Sequence, residues 1–182
     1  HMTMTYKDAL EKYGSRYRLR KALSEGRVIR RSRGLYAQAD DPESPLADIA
    51  ARYPGAILTG ATALYLHGLV DMPPETIDAA TATGTTKMVV PGIRQTFVRP
   101  DALGVGRTEM EADGARVAVY DKERMLLELM RTRNKLPYDL YREAVRSYRR
   151  EANDLDIYKL QDYAEAIPRG NAYLNRAMEE VF

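Results

Sequence analysis

The sequence predicts an α+β protein. Its expected parts are an N-terminal winged helix-turn-helix, an α/β domain with a small mixed sheet, and a C-terminal helical bundle. Three patterns lead there. Residues 5–36 give two short helical patterns followed by a basic hairpin pattern, residues 76–120 alternate with period two, and residues from Tyr138 onward are helical to the end.

Charge divides the chain the same way. Residues 1–37 hold 10 Lys/Arg against 3 Asp/Glu, a net +7, while the remainder holds 18 against 23, a net −5. The chain's overall +2 therefore conceals a basic head on an acidic body, and only the head suits a polyanion. With 45% hydrophobic residues the chain can build a real core.

In the head, Thr5 and Asp8 form a helix N-cap pattern, and Tyr6, Ala9, Leu10 and Tyr13 share one helical face. Gly14 stops that helix, Ser15 caps a second from Arg16 to about Glu25, and Gly26 follows as its C-terminal glycine. Leu19, Ala22 and Leu23 form the buried stripe of this second helix. At about 100° per residue, Tyr17, Lys21 and Ser24 lie opposite, with Arg16, Arg18 and Arg20 on the flanks. A stripe backed by a cationic face is what a recognition helix needs, so Tyr17, Arg20 and Lys21 are candidates for base-edge contacts in a major groove.

The hairpin comes next. Val28 and Ile29 suit a strand, Arg31 to Gly34 suit its turn, and Leu35, Tyr36 and Ala37 suit the return strand. Arg30, Arg31 and Arg33 at such a wing are placed to meet phosphates or a minor groove. Between Arg16 and Arg33 eight basic residues face one acid, Glu25. That ratio lacks the i, i+4 acid–base partners of a self-neutralised helix face. A winged helix ordinarily has three helices before its wing and only two fit here. The helical spacing of Leu46, Ile49, Ala50 and Tyr53 offers packing from behind the wing.

The polar, proline-bearing stretch Asp40 to Pro45 separates a DNA-binding domain at 3–39 from a regulatory domain at 46–182. In the second domain, Thr59 is expected to cap a small-residue helix, Ala61 to His67, and His67 to play a structural part at its C-terminus. Strands are expected at 76–80, 87–90, 93–99, 108–110 and 116–120, with Asp113-Gly114 as a hairpin turn. Asp121 caps a helix over 122–132 with Met125, Leu126, Leu129 and Met130 inward. A following helix turns Tyr141, Ala144, Val145 and Tyr148 inward and Arg142, Arg146, Arg149 and Arg150 outward. Two more helices are expected at 157–166 and 171–181.

Several classes are excluded. The chain has no Cys, and His67 is its one histidine beyond His1, which with Met2 looks like a cloning remnant. Thiolate or multi-histidine metal sites and Ser-His-Asp hydrolysis are therefore not expected, and the lack of Cys fits a reducing cytoplasm. No apolar run approaches the roughly 18 residues of a membrane span, and no signal peptide is visible. Gly14-Ser15 has no following carboxylate pair, Asp154 and Asp156 lie between helices, and no P-loop or nucleophile elbow is present. The sequence thus predicts neither enzyme nor cofactor.

Three stretches carry a family likeness, in order and spacing along nearly the whole chain. They are Tyr6 to Tyr17 leading to Arg33-Gly-Leu-Tyr-Ala37, Ala61 to Leu69, and Val119 to Leu129 with the helical tail. The chain resembles the AbiEi family, antitoxins of bacterial abortive-infection (type IV) toxin–antitoxin systems. The resemblance implies a winged helix that represses its own operon by binding inverted repeats in upstream double-stranded DNA. It also implies a C-terminal domain that counters a nucleotidyltransferase-type toxin without a stable complex, in a monomer or weak dimer. The DNA-binding role falls on Arg16, Tyr17, Arg18, Arg20, Lys21 and Ser24, and on Arg27, Arg30, Arg31 and Arg33 of the wing. The alternatives are a winged-helix regulator whose second domain senses a ligand or dimerises, and a protein-interaction module that neutralises a toxin without binding DNA.

Overall fold

The computed structural model describes residues 4–38 and 44–182. Most of the Asp40 to Pro45 connection lies outside the described residues. Packing groups the chain into two units: the segment ending at Ala56 together with Glu109–Val117, and Ile57–Thr108 together with Ala118–Phe182. The architecture is α+β, as expected, with two small sheets.

The first unit begins with β1 (Met4–Thr5), α1 (Tyr6–Tyr13) and α2 (Arg16–Ser24). Thr5 and Asp8 form a reciprocal capping box on α1. Gly14 adopts φ 85°, a left-handed conformation that an L side chain resists, and releases the chain into α2. The Ser15 hydroxyl then accepts from Arg18 N at 3.2 Å. Then come β2 (Val28–Ser32), β3 (Leu35–Gln38) and α3 (Pro45–Arg52). The three-stranded antiparallel sheet has the order β1-β3-β2. Met4, Ala9, Leu19, Ala22, Val28 and Tyr36 form the core, with Leu10, Tyr13 and Leu23 packed on it. The helix expected from Leu46 and Ile49 is α3, which packs on β1 and β3 and so belongs to this unit.

A mixed five-stranded sheet has the order β6-β5-β4-β8-β7 and is built from β4 (Ile57–Leu58), β5 (Ile77–Ala82), β6 (Ile93–Val98), β7 (Arg107–Ala112) and β8 (Ala115–Tyr120). β5 runs parallel to β6 and antiparallel to β4, and β4 runs parallel to β8. Asp113 (φ 51°) and Gly114 (φ 75°) make the expected turn. The strand expected at 87–90 does not form. Met88 is buried there, its N–H held by the Gln95 side chain at 2.8 Å, which ties the segment down as a loop. The two-residue β1 and β4 were not predicted, being too short for a period to register. The same holds for the single-turn α5 (Pro100–Leu103).

α4 (Gly60–Leu66) follows β4, with Thr59 at the N-cap position but making no capping bond. Its hydroxyl turns to Met125 Sδ at 3.8 Å, and the cap comes from β5 instead, where Asp78 Oδ2 accepts from Ala61 N at 3.1 Å. Gly60 is required by this close approach, since a Cβ would stand 2.6 Å from Asp78 Oδ2. His67 ends α4 with Nε2 2.7 Å from Tyr120 O, a structural tie to β8.

The rest is helical: α6 (Lys122–Arg131), α7 (Tyr138–Arg150), α8 (Ile157–Ala166) and α9 (Gly170–Val181). α6, α8 and α9 pack on one another, and α7 packs on α9. α6 is buried on every side from Glu123 to Met130, not on one apolar face alone. Two charges inside it are neutralised locally. Arg124 Nε donates to Glu128 Oε1 at 3.1 Å, its Nη1 donates to Ala102 O and Val105 O at 2.7 Å each, and the guanidinium lies 4.4 Å from the Tyr120 ring centroid. Burial lifts the Tyr120 phenol to about 12, and it stays protonated, donating to Leu103 O.

Glu123 and Glu128 should respond oppositely to replacement. Burial, reinforced by Asp121, raises the Glu123 carboxyl above its usual range against the pull of Lys159. The contribution of such a group is fully present below the ordinary glutamate value and is lost as pH rises through the raised value. Glu123→Gln should therefore raise Tm at pH 7 by about 2 °C and leave it unchanged near pH 4. Glu128→Ala strands Arg124 without a carboxylate and should cost about 3 kcal/mol in urea unfolding. An unchanged midpoint for Glu128→Ala would contradict the role given to that pair.

Candidate nucleic-acid interface

α2 turns its apolar stripe inward and its cations outward. Leu19 and Ala22 are buried and Leu23 is half-buried, whereas Arg16, Arg18, Arg20, Lys21 and Ser24 are exposed and Tyr17 is 74% exposed. The sequence pattern dictates this, since an apolar triplet at 19, 22 and 23 leaves the opposite face to whatever residues remain. The Ser24 hydroxyl bonds back to Lys21 O at 2.8 Å and so is spent on its own helix.

The hairpin carries the other predicted residues. β2 extends to Ser32, two residues into the expected turn, so that the turn itself is Arg33-Gly34. A register shift between Arg30 and Ser32 interrupts the ladder, and such a bulge re-aims the side chain it carries. The Arg31 side chain is only 11% exposed and lies 3.8 Å from Asp48 Oδ1 of α3. Arg31 is thus a hairpin-to-helix tie and not a wing-tip cation. Arg30 and Arg33 are exposed, and Arg27 is exposed but paired with Glu25 at 2.9 Å.

The ten predicted residues therefore sort by partner. Among the described residues, Arg16, Arg18, Arg20, Lys21, Arg30 and Arg33 have no carboxylate partner, while Arg27 and Arg31 have one each. Unpaired cations over a fixed apolar backing present positive potential without internal competition, which a polyanion can exploit. Exposed Tyr17 adds a planar ring and a hydroxyl to the same face.

In the second unit, Arg142, Arg146, Arg149 and Arg150 of α7 are exposed as expected. Arg149 Nε donates to Glu180 O at 2.7 Å and Arg150 donates to Ser147 Oγ at 3.1 Å, so half of this face is engaged internally. Sequence reasoning missed a cluster of buried carboxylates held by arginines in this unit. Arg94 grips Asp78 through Nε at 2.7 Å and Nη2 at 3.0 Å, and Arg131 Nε donates to Glu128 Oε2 at 2.7 Å. The hydrogen bonds and charge of Asp78 raise the Arg94 pKa further. The available signal was one acid inside the apolar run Ile77-Asp-Ala-Ala-Thr81, because an acid buried in a strand requires a partner. No His, Cys, Asp and Glu grouping suited to a metal ion occurs among the described residues. None of their helices is long and apolar enough to cross a membrane.

No protein-family model matches the chain, and no curated protein is similar to it. Among solved structures, the chain is similar to the RV2827C protein from Mycobacterium tuberculosis. The likeness covers 97% of this chain and 72% of that one, with a TM-score of 0.63 and 15% identity. At that identity the similarity concerns the fold.

Arg31→Ala should lower stability by about 1 kcal/mol through loss of the half-buried contact with Asp48. Arg33→Ala should leave thermal unfolding unchanged. Equal melting behaviour of the two variants would return Arg31 to the exposed set.

Proposed function

We propose that this chain is a DNA-binding transcriptional autorepressor and antitoxin of a bacterial abortive-infection operon, acting in the cytoplasm. The observation that carries the DNA-binding half is the set of exposed, unpaired cations on α2 and the β2–β3 hairpin, fixed on the first unit's core. In this reading the first unit is a winged helix, with β1, α1 and α2 leading into the wing and α3 closing it from behind. α2 enters the major groove through Tyr17, Arg20 and Lys21, and Arg30 and Arg33 meet phosphates. The chain order strand-helix-helix-hairpin-helix supports that assignment. The antitoxin half rests on the resemblance to the AbiEi family, with a nucleotidyltransferase-type toxin as functional counterpart and no lasting complex.

Fluorescence anisotropy on the chain's own upstream DNA and on a scrambled duplex, across a salt series, tests this. About five neutralised phosphates give a slope of log K against log salt near −4 to −5, and the upstream DNA should bind at least about tenfold more tightly. Arg18→Ala and Arg33→Ala should weaken both duplexes alike, whereas Tyr17→Ala and Lys21→Ala should narrow the gap between them. Identical behaviour of the two pairs would overturn the helix orientation, and no binding at low salt would overturn the DNA reading.

A further inference from the structure

The second unit contains two adjoining cavities, of about 250 and 240 Å³. They share Thr96, Val98, Glu128 and Arg131 in their walls. Singly they fall below, and together they fall within, the roughly 300–1,000 Å³ of small-molecule sites. Arg94, Lys135 and Arg131 line the first, and Arg99, Arg124, Arg131 and Arg169 line the second. Against them the walls supply only Asp78 and Glu128.

Both carboxylates are already committed. Asp78 accepts from Arg94, Ala61 N and Thr76, and Glu128 accepts from Arg124 and Arg131. Arg99 pairs with Asp101 at 3.0 Å. Lys135 and Arg169 are exposed and have no carboxylate partner among the described residues. Arg94 and Arg131 make their bonds to Asp78 and Glu128 through Nε and Nη2, which leaves each Nη1 free to donate. The walls thus carry surplus positive charge and surplus guanidinium donors around a central arginine. Half-buried Tyr173, Phe97 (48% exposed) and the side chains of Met125 and Leu129 give the same space an aromatic and apolar lining.

The geometry points to a binding site in the second unit for a small organic phosphate. Its phosphate would sit at Arg131 between Arg94 and Lys135 on one side and Arg169 on the other, and its organic body against Phe97 and Tyr173. Several guanidinium forks suit the multiple oxygens and double charge of a phosphate ester better than one carboxylate, which two of them would saturate. The site is independent of the basic head, since every residue of it lies in the second unit.

Isothermal titration calorimetry of the full chain with adenosine 5′-monophosphate, adenosine and inorganic phosphate tests the proposal. Adenosine 5′-monophosphate should bind with Kd tighter than about 1 mM, and more tightly than either adenosine or phosphate. Lys135→Gln and Arg169→Asn, both at exposed positions, should each weaken it about threefold while thermal unfolding stays unchanged. Arg18→Ala combined with Arg20→Ala in the head should not affect it. Equal binding of adenosine or of phosphate, absence of binding, or dependence on the head pair in place of Lys135 and Arg169 would each overturn the proposal.

Discussion

The second unit is organised around one buried guanidinium. Arg124 is only 2% exposed, and a cation so placed is tolerable only with near-complete hydrogen bonding and an opposite charge. Meeting that demand fixes much of its surroundings. Glu128 must sit one turn later on α6, and α5 and the loop after it must turn Ala102 O and Val105 O toward Nη1. Tyr120 must end β8 beneath the guanidinium. Gly106 must lack a Cβ, which would otherwise stand 2.5 Å from Arg124 Cβ. The end of β8, the short helix and the central helix are thereby held to one register by a single side chain.

The head solves the opposite problem. Most of the cations on α2 and the hairpin sit in water, where they need no partner, and among the described residues Arg27 and Arg31 are the two of them given a carboxylate. The contrast separates structural cations from cations held available. Where a carboxylate is spent on an arginine, that arginine shapes the fold; where none is supplied, the charge faces outward for an anion. By this criterion α2 and the hairpin turn form one available surface. The cavity walls around Arg131 form another of a different kind, concave and mixed with aromatic rings.

What was legible in the sequence was what is local. Thr5 with Asp8, Ser15 and Asp121 cap the helices they precede because a cap spans only three residues, and the stripe of Leu19, Ala22 and Leu23 fixes which side of α2 faces water. What was not legible depends on contacts distant along the chain. Asp78 replaces Thr59 as the cap of α4 from the neighbouring strand, and Asp48 draws Arg31 away from the wing tip. The charge cluster of α6 was hidden for a related reason. Arg124 and Glu128 have the spacing of any surface i, i+4 pair, and only the surrounding elements closing over them make that pair a buried one. A strand pattern at 87–90 failed because Gln95 satisfies the backbone there with a side chain, which no periodicity reports.

The most direct test of the central claim is a map of which backbone amides respond to DNA. Heteronuclear NMR of the full chain, titrated with upstream duplex, should perturb residues 15–24 of the second helix and 27–34 of the hairpin first and most strongly. Perturbation confined to the arginine face of α7, around Arg142 and Arg146, with the head unmoved, would contradict it.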